Sequence, residues 1–281
     1  MFKVLIKDKL YSKLIPYYRK LLLLKFYSKY TFFRLFRRKG NLKNVYFATI
    51  QKSGSQWLKS IFSDPRILEY TKLVPYPQHN YDGDEFHKKF PLYTFVPGIY
   101  LSYPMFWKFV RKPNNYKVIY VIRDPRNIVV SWYHSVTKTH RALPGILKMR
   151  EKMNGMSIED GITYAIKHLG YKFAEMRSWV ELGKNDDKIL FLKFEDLISD
   201  SENNLVDLFK FLDIDVPSQI LKNVIADYTK DKMRSKDLEK RKVEESHYRK
   251  TSSNFIDVFN ESHYKLFNEI NGNLIEILKY E

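Results

Sequence analysis

The clearest candidate for chemistry is the segment QKSGSQ, residues 51–56, which we call the anion loop. Lys52 supplies a full positive charge, and Gly54 lets the backbone approach a ligand closely. Three further side chains can donate hydrogen bonds to phosphate or sulfate oxygens: Ser53, Ser55 and Gln56. A buried strand is predicted before this loop and a helix after it, so free backbone N–H groups converge there. The loop is therefore predicted to bind an anion.

The spacing differs from the nucleoside triphosphate loop GxxxxGK[ST], because Lys52 precedes Gly54 and no Asp resembling a Mg²⁺ ligand is evident. The chain has no cysteine and only 7 histidines, and no HExxH or comparable ligand spacing occurs. We expect a phosphate ligand that is handled without a metal. A phosphotransferase that uses ATP is the alternative among enzymes, and the missing GK[ST] pair counts against it.

A second candidate follows the predicted strand KVIYVI, residues 117–122. Asp124 is suited to cap a helix, and Pro125 is suited to its first position. Arg123 stands at the end of the strand, where a guanidinium can bind phosphate through two hydrogen bonds, and Ser131 lies two turns into the helix. The sequence predicts a second phosphate contact at this point.

Taken together, these segments resemble sulfotransferases that use 3′-phosphoadenosine 5′-phosphosulfate (PAPS). QKSGSQW is similar to their 5′-phosphosulfate loop, commonly PKSGTTW, and VIRDPRNIVVSWYHS (121–135) is similar to their 3′-phosphate segment, commonly RNPKDVAVSYYH. KFEDL (193–197) resembles the YED strand, and HYRKTSSNF (247–255) resembles the late RKG element. The resemblance covers residues 45 to about 259. It implies an enzyme that transfers a sulfuryl group from PAPS to a hydroxyl or amine.

The resemblance also implies a role for each matched residue. Lys52 would contact the 5′-phosphate and the bridging oxygen, while residues 53–56 would hold the phosphosulfate. Trp57 would pack on the adenine, and Phe194 stands where the family has an adenine-contacting Tyr. The 3′-phosphate would be bound by four residues: Arg123, Ser131, Arg249 and Lys250.

The general base is harder to assign. The family carries it in a KTHxP element about 20 residues before the Arg of the second strand, whereas this chain reads YLSYP there and places Tyr103 near the expected His. His140, in KTHRALPG, matches an acceptor-lining His and is the preferred candidate. His79 could reach the site from a long loop. Tyr103 would need a strongly lowered pKa, and His134 matches a family His without a catalytic role.

The order of strands and helices predicts an α/β fold with a central parallel sheet flanked by helices. Three buried strands are predicted, at 45–50, 117–122 and 188–194. A long amphipathic helix is predicted over 157–182, and a helix with an apolar stripe over 201–212. The polar run 230–246 is predicted to be a mobile loop.

The first 43 residues form a basic head that we treat as a domain separate from residues 44–281. They contain thirteen Lys or Arg and one acid, and so carry 12 of the 17 net positive charges. The rest of the chain has only a small excess of positive charge, which argues against a nucleic-acid partner. No apolar run is long enough for a membrane span. The head is either an interfacial helix on anionic lipid or a helix packed on the main domain, in a protein that is cytoplasmic or peripheral at a membrane.

The acceptor is not encoded in any transferable motif. Residues 70–105 and 138–156 are expected to line its pocket. Five aromatics would suit a hydrophobic alcohol or a sugar: Tyr76, Tyr81, Phe95, Tyr100 and Phe106. We expect a small molecule, lipid or glycan with a free hydroxyl or amine. A protein that keeps the nucleotide fold without catalysis is the rival from another class, because YLSYP departs from the family pattern.

Overall fold

The computed structural model describes residues 2–36, 40–78, 86, 89–140, 144–241, 246, 248 and 254–280. Within these ranges five strands occur: β1 (Asn44–Thr49), β2 (Val74–Pro75), β3 (Thr94–Ile99), β4 (Tyr116–Ile122) and β5 (Ile189–Lys193). The α-helices of the same ranges are α1 (Phe2–Phe36), α2 (Ser55–Ser63), α3 (Pro65–Thr71), α4 (Tyr103–Phe109), α5 (Pro125–His134), α6 (Pro144–Met153), α7 (Ile158–Gly183), α8 (Phe194–Ser199), α9 (Ser201–Phe211), α10 (Ser218–Asp227), α11 (Lys230–Arg241), α12 (Glu261–Asn271) and α13 (Leu274–Ile277).

The strands form one sheet in the order β2-β3-β1-β4-β5, and every neighbouring pair is parallel. The predicted α/β fold with a central parallel sheet is therefore confirmed. Because the strands run the same way, the segments that follow β1, β3, β4 and β5 leave from one edge of the sheet. This is the edge where parallel α/β sheets bind their ligands.

The strand β3 was missed by the sequence analysis because its sequence, TFVPGI, contains Pro97 and Gly98, which normally interrupt strands. The pairing with β1 explains how they are tolerated. The register of the two strands shifts between Tyr46 and Ala48. Pro97 and Gly98 therefore lie together in a bulge opposite Phe47. At the other side of the sheet, β5 ends one residue earlier than predicted, since Phe194 begins α8.

The prediction of a mobile loop over 230–246 was wrong for its first part, because Lys230–Arg241 is the helix α11. Its Lys, Arg, Glu, Met and Leu residues have high helix propensity, which outweighs their polarity. Met233 is buried against the core, and Lys232 pairs with Asp227 at 3.2 Å. The many charged residues of this segment therefore belong to an exposed helix and not to a loop.

The sheet separates two apolar layers, as alternation along its strands requires. Tyr46 and Tyr120 face a layer formed with α5 and α7, where Trp179 stacks on Tyr120 at 4.7 Å. Phe47 and Val121 face the opposite layer, formed with α2, α9 and α10. The predicted long helix is confirmed as α7, which begins after its cap Ser157, and the apolar stripe of α9 is buried as expected.

The basic head forms one helix, α1, whose second half packs on the main domain. Phe26 and Phe33 are buried against Leu68 and Val74, and the Tyr30 hydroxyl donates a 3.0 Å hydrogen bond to the Leu92 carbonyl. Each buried Phe contributes about 1.5–3 kcal/mol. The opposite face of the helix is exposed. Among the described helices, none combines the length and apolar character needed to cross a bilayer.

Candidate active site

The anion loop joins the central strand β1 to α2 through two left-handed residues. Lys52 and Gly54 both have a φ of 74°. A non-glycine residue in this region carries roughly 1–3 kcal/mol of strain, which is common at ligand sites. Gly54 is the N-cap of α2 and no side chain of the described residues caps the helix. The first N–H groups of α2 are thus available to an anion, as the sequence predicted.

Ser53 lies at the bottom of this loop with no exposure to solvent. Its Oγ is buried and has no hydrogen-bond partner among the described residues. A buried hydroxyl without a partner costs about 1–3 kcal/mol. An anion oxygen held by the loop would satisfy it, so the residues present fit a phosphate or phosphosulfate group.

Phe194 covers the loop and explains why position 54 is a glycine. A Cβ placed on Gly54 would lie 2.2 Å from Cε2 of Phe194, a separation that the ring could not accept without moving. The guanidinium of Arg123 stacks on the same ring, with its Cζ 4.8 Å from the ring centroid. Phe194 therefore packs between the two segments that were predicted to bind the nucleotide.

Arg123 connects the end of β4 directly to the anion loop. Its Nη1 donates a 2.6 Å hydrogen bond to the carbonyl oxygen of Lys52. Behind it, Asp124 caps α5 and accepts hydrogen bonds from the backbone N and the Nε of Arg126 at 2.9 and 3.0 Å. The guanidinium of Arg126 also stacks on Phe255 at 4.0 Å. The start of α5 is thus fixed by a buried ion pair.

A contact from the last turn of the chain supports this region and was not found from the sequence. The Tyr280 hydroxyl donates a 2.6 Å hydrogen bond to Glu195, and the second oxygen of Glu195 accepts from the backbone N of Asp124 at 3.3 Å. Burial, followed by the Glu195 carboxylate, holds the pKa of Tyr280 far above its usual value. Glu195 is the acid of the FED sequence, but no sequence signal identifies Tyr280 as its partner.

The other residues that were predicted to bind the nucleotide either take no part in these contacts or lie outside the described residues. Trp57 is nearly buried in the apolar layer, and its Nε1 donates a 3.1 Å hydrogen bond to the carbonyl of Tyr228. Ser131 is half-buried in α5, where its carbonyl accepts from the N–H of Ser135. Arg249 and Lys250 are outside the described residues.

Among the candidate bases, His140 follows an unusual turn. Residues Ser135–Thr139 continue α5 as a π-helical turn, a feature that often marks functional sites. The carbonyl of His140 accepts a 3.1 Å hydrogen bond from Arg150, which also binds the carbonyl of Val136 at 2.9 Å. The backbone at His140 is therefore held firmly. His79 is outside the described residues.

Tyr103 packs against aromatic side chains. Its ring lies edge-on to Trp179 at 5.4 Å and to Trp107 at 6.0 Å. Two aromatics that were expected to line an acceptor pocket, Phe95 and Phe106, are also fully buried in the core. Phe95 and Phe106 therefore belong to the two apolar layers on either side of the sheet.

A polar network next to the loop was missed because its members are distant in sequence. The Tyr100 hydroxyl lies 3.4 Å from Oγ of Ser55 and accepts a 3.0 Å hydrogen bond from Nε2 of Gln78. The Gln78 Oε1 accepts from Lys59 at 3.2 Å and from Gln56 at 3.5 Å. Tyr100 was expected only among the aromatics of the acceptor pocket. It immediately follows β3, the neighbour of β1, and this position could have indicated its contact with the loop.

The geometry defines an α/β protein with a candidate anion site at the end of its central strand. Residues 42–276 match the sulfotransferase domain family, and the chain belongs to that family. The resemblance described from its motifs is confirmed.

Three known proteins illustrate the relationship. The chain is similar to an amine sulfotransferase of Oryctolagus cuniculus, 24% identical over 204 residues, which are 68% of this chain and 63% of that protein. The matched stretch therefore spans less than two thirds of this relative. The fold is similar to mouse sulfotransferase SULT7A1 complexed with PAP (TM-score 0.63, 20% identity, 84% of this chain and 85% of that chain). It is also similar to retinol dehydratase in a complex with retinol and PAP (TM-score 0.53, 16% identity, 83% of this chain and 81% of that chain).

Proposed function

We propose that the protein transfers a sulfuryl group from PAPS to the hydroxyl or amine of a small-molecule acceptor. The observation that carries this proposal is the contact between the two phosphate-binding segments. Arg123, predicted to bind the 3′-phosphate, is hydrogen-bonded at 2.6 Å to the carbonyl of Lys52, predicted to bind the 5′ end. One ligand with phosphate at both ends matches that proximity.

At the 5′ end, the proposed ligands are the N–H groups of α2, the ammonium of Lys52 and the buried hydroxyl of Ser53. The Oγ of Ser53 has no partner among the described side chains and backbone, which supports a ligand oxygen at that place. Gly54 keeps the loop free of a side chain under the Phe194 ring. We assign Trp57 and Phe194 to the adenine side, as the family resemblance implies.

At the 3′ end, the proposed ligands are Arg123 and Ser131, with Arg249 and Lys250 closing over the phosphate. A guanidinium carries five N–H groups, so Arg123 can bind the Lys52 carbonyl and a phosphate at the same time. Its stacking on Phe194 fixes the plane of the fork. A guanidinium held in this way can bind phosphate with little further loss of entropy.

The proposed reaction is an in-line displacement at sulfur. A bond forms from the acceptor oxygen or nitrogen to sulfur while the bond from sulfur to the bridging oxygen breaks. The electron pair stays on the 5′-phosphate of the leaving 3′-phosphoadenosine 5′-phosphate (PAP), where Lys52 stabilises the developing charge. The acceptor proton passes to a base, for which we propose His140. No metal is assigned a role.

The donor assignment is tested by thermal unfolding with PAP and with ATP. PAP at 100 times its dissociation constant should add about 2.7 kcal/mol, which raises the Tm by roughly 5–10 °C for a chain of this size. The shift should be lost in Lys52→Ala and Arg123→Ala. A larger shift with ATP would favour a phosphotransferase instead. PAP binding without turnover on any amine or alcohol would favour the non-catalytic alternative.

We further propose that α1 binds an anionic membrane surface from the cytoplasmic side. Its face opposite Phe26 and Phe33 is apolar and strongly exposed. The exposed side chains of this outer face are Leu14, Tyr17, Tyr18, Leu21, Leu24, Phe32 and Leu35. They occupy roughly a third of the helix circumference at 100° per residue. The exposed Lys20 and Lys29 flank this arc and the exposed Lys25 lies at its margin beside Tyr18, which matches the charge of anionic lipid headgroups.

Vesicle co-sedimentation of the full chain tests this second proposal. Binding to phosphatidylcholine vesicles with roughly one third phosphatidylserine should exceed binding to phosphatidylcholine alone and weaken with salt. Leu24→Glu should reduce binding about tenfold or more, since it removes an exposed apolar side chain that would insert between the lipids. Leu182→Glu is the matched control, because Leu182 is equally apolar and 57% exposed on α7. Equal effects of the two variants would contradict the proposal.

A further inference from the structure

Four side chains connect the loop to its neighbouring strands through a directed chain of hydrogen bonds. The chain runs from Lys59 to Gln78, from Gln78 to Tyr100, and from Tyr100 to Ser55. Lys59 and Ser55 belong to α2, Gln78 follows β2, and Tyr100 follows β3. The chain therefore ties the helix of the anion loop to the two strands beside it.

The direction of the hydrogen atoms in this chain follows from the chemistry of its first member. An ammonium group can only donate, so Oε1 of Gln78 must face Lys59 and its Nε2 must face Tyr100. The Tyr100 oxygen therefore accepts from Gln78 at 3.0 Å. Tyr100 can in turn donate its phenolic hydrogen to Oγ of Ser55, at 3.4 Å. When Ser55 accepts it, its own hydrogen is available for a ligand of the loop.

The backbone makes room for this arrangement. Gly98 lies in the bulge of β3 with a φ of 72°, and a Cβ there would lie 2.3 Å from Nε2 of Gln78. A side chain at this position would displace the amide from Tyr100. The bulge thus places the amide of Gln78 and the hydroxyl of Tyr100 at the edge of the sheet where the anion loop begins.

We propose that Tyr100 is a positioning residue that holds Ser55 as a hydrogen-bond donor to the 5′ group of the nucleotide. The proposal rests on the proposed function, because it takes that nucleotide as the ligand of the loop. The 3.4 Å separation from Ser55 exceeds the roughly 2.7–2.8 Å of a relaxed O–H···O bond. It should shorten when a bound anion orders the serine hydroxyl, as catalytic hydrogen bonds commonly do on binding.

Calorimetric titration with two nucleotides tests the proposal. PAP carries the 5′-phosphate, and adenosine 3′-phosphate lacks it. Tyr100→Phe and Ser55→Ala should each weaken PAP about three- to tenfold, the range expected for one lost hydrogen bond, and leave adenosine 3′-phosphate unchanged. Gly98→Ala should show the same selective loss. The matched control is Tyr116→Phe, because Tyr116 begins β4 at the opposite edge and its hydroxyl has no partner among the described residues.

The double variant Tyr100→Phe with Ser55→Ala should weaken PAP no more than Ser55→Ala alone, since Tyr100 acts through Ser55. Fully additive losses, or equal losses for both nucleotides, would overturn the positioning role. So would unchanged PAP affinity in Tyr100→Phe when the native chain binds PAP. If the native chain binds no PAP, the proposed function fails instead, and the two failures are distinguished by that one measurement.

Discussion

Nη1 of Arg123 donates a 2.6 Å hydrogen bond to the carbonyl oxygen of Lys52, and the two residues lie 71 positions apart in the chain. Lys52 has a φ of 74°, so its carbonyl points in a direction that an ordinary loop would not maintain. The guanidinium stabilises that direction before any ligand binds. Arg123 therefore orders the anion loop, and we propose that it also binds the 3′-phosphate.

Replacement of Arg123 by Lys separates these two tasks. The variant keeps the positive charge but loses the planar fork, so it cannot bind the Lys52 carbonyl and a phosphate together. We expect PAP affinity to fall about tenfold or more, corresponding to roughly 1.5–3 kcal/mol for a hydrogen bond to a charged group. Calorimetry measures the change, and Arg177→Lys on the surface of α7 is the control. Retention of native affinity would show that charge alone suffices.

Gly54→Ala should disable the loop for two reasons that can be measured separately. A left-handed Ala costs roughly 1–2 kcal/mol, and its Cβ would also collide with Phe194. Gly155 has a φ of 83° and open space around its Cβ position, so Gly155→Ala reports the backbone cost alone. We expect the Tm of Gly54→Ala to fall further than that of this control, with loss of PAP binding. Equal Tm changes would contradict the contact with Phe194.

Tyr280→Phe should destabilise the protein without changing the ligand groups themselves. The variant removes one hydrogen bond to the Glu195 carboxylate, worth about 1.5–3 kcal/mol. The Tm should fall by about 2–4 °C for each kcal/mol. Tyr264→Phe on α12 is the matched control, because the Tyr264 ring packs on Phe259 in a similar apolar setting. A Tm equal to that of the control would show that the Glu195 contact contributes nothing.

We expect His168 to make the free energy of unfolding depend on pH between neutrality and mild acid. Burial, followed by the charge of Lys152, lowers its pKa below the usual value near 6.5. The unfolded chain therefore binds a proton first as the pH falls, so folding loses stability from about pH 6.5 down to the lowered value. His168→Phe keeps the stacking on Trp132 and removes the proton. Urea unfolding at neutral and mildly acidic pH should show a smaller loss for this variant, and an unchanged loss would exclude His168.

His140→Ala should lower kcat by about 10²-fold or more, the usual contribution of a positioned base, and leave PAP affinity nearly native. PAPS consumption with a panel of small amines and alcohols measures the first quantity, and calorimetry measures the second. His134→Ala is the control, because His134 ends α5 one π-helical turn earlier. Unchanged turnover in His140→Ala would move the role to His79 or Tyr103.

Local patterns predicted the parts of the site that a strand-to-helix junction defines. The anion loop and Arg123 were recognisable because each follows a buried strand and precedes a helix. Long-range partners were not recognisable, since nothing near Glu195 indicates that Tyr280 will donate to it. The strand β3 was hidden by Pro97 and Gly98, whose bulge depends on pairing with β1. Burial of Met233 likewise depends on tertiary packing, which a count of charges does not contain.

The interlock of Gly54 and Phe194 has an evolutionary consequence. Because the aromatic ring fills the space where a Cβ would stand, neither position can change freely while the other keeps its residue. A lineage that reduced the ring at 194 would release the steric constraint at 54, although the left-handed backbone would still favour glycine there. The two positions should therefore vary as a pair among descendants of this chain.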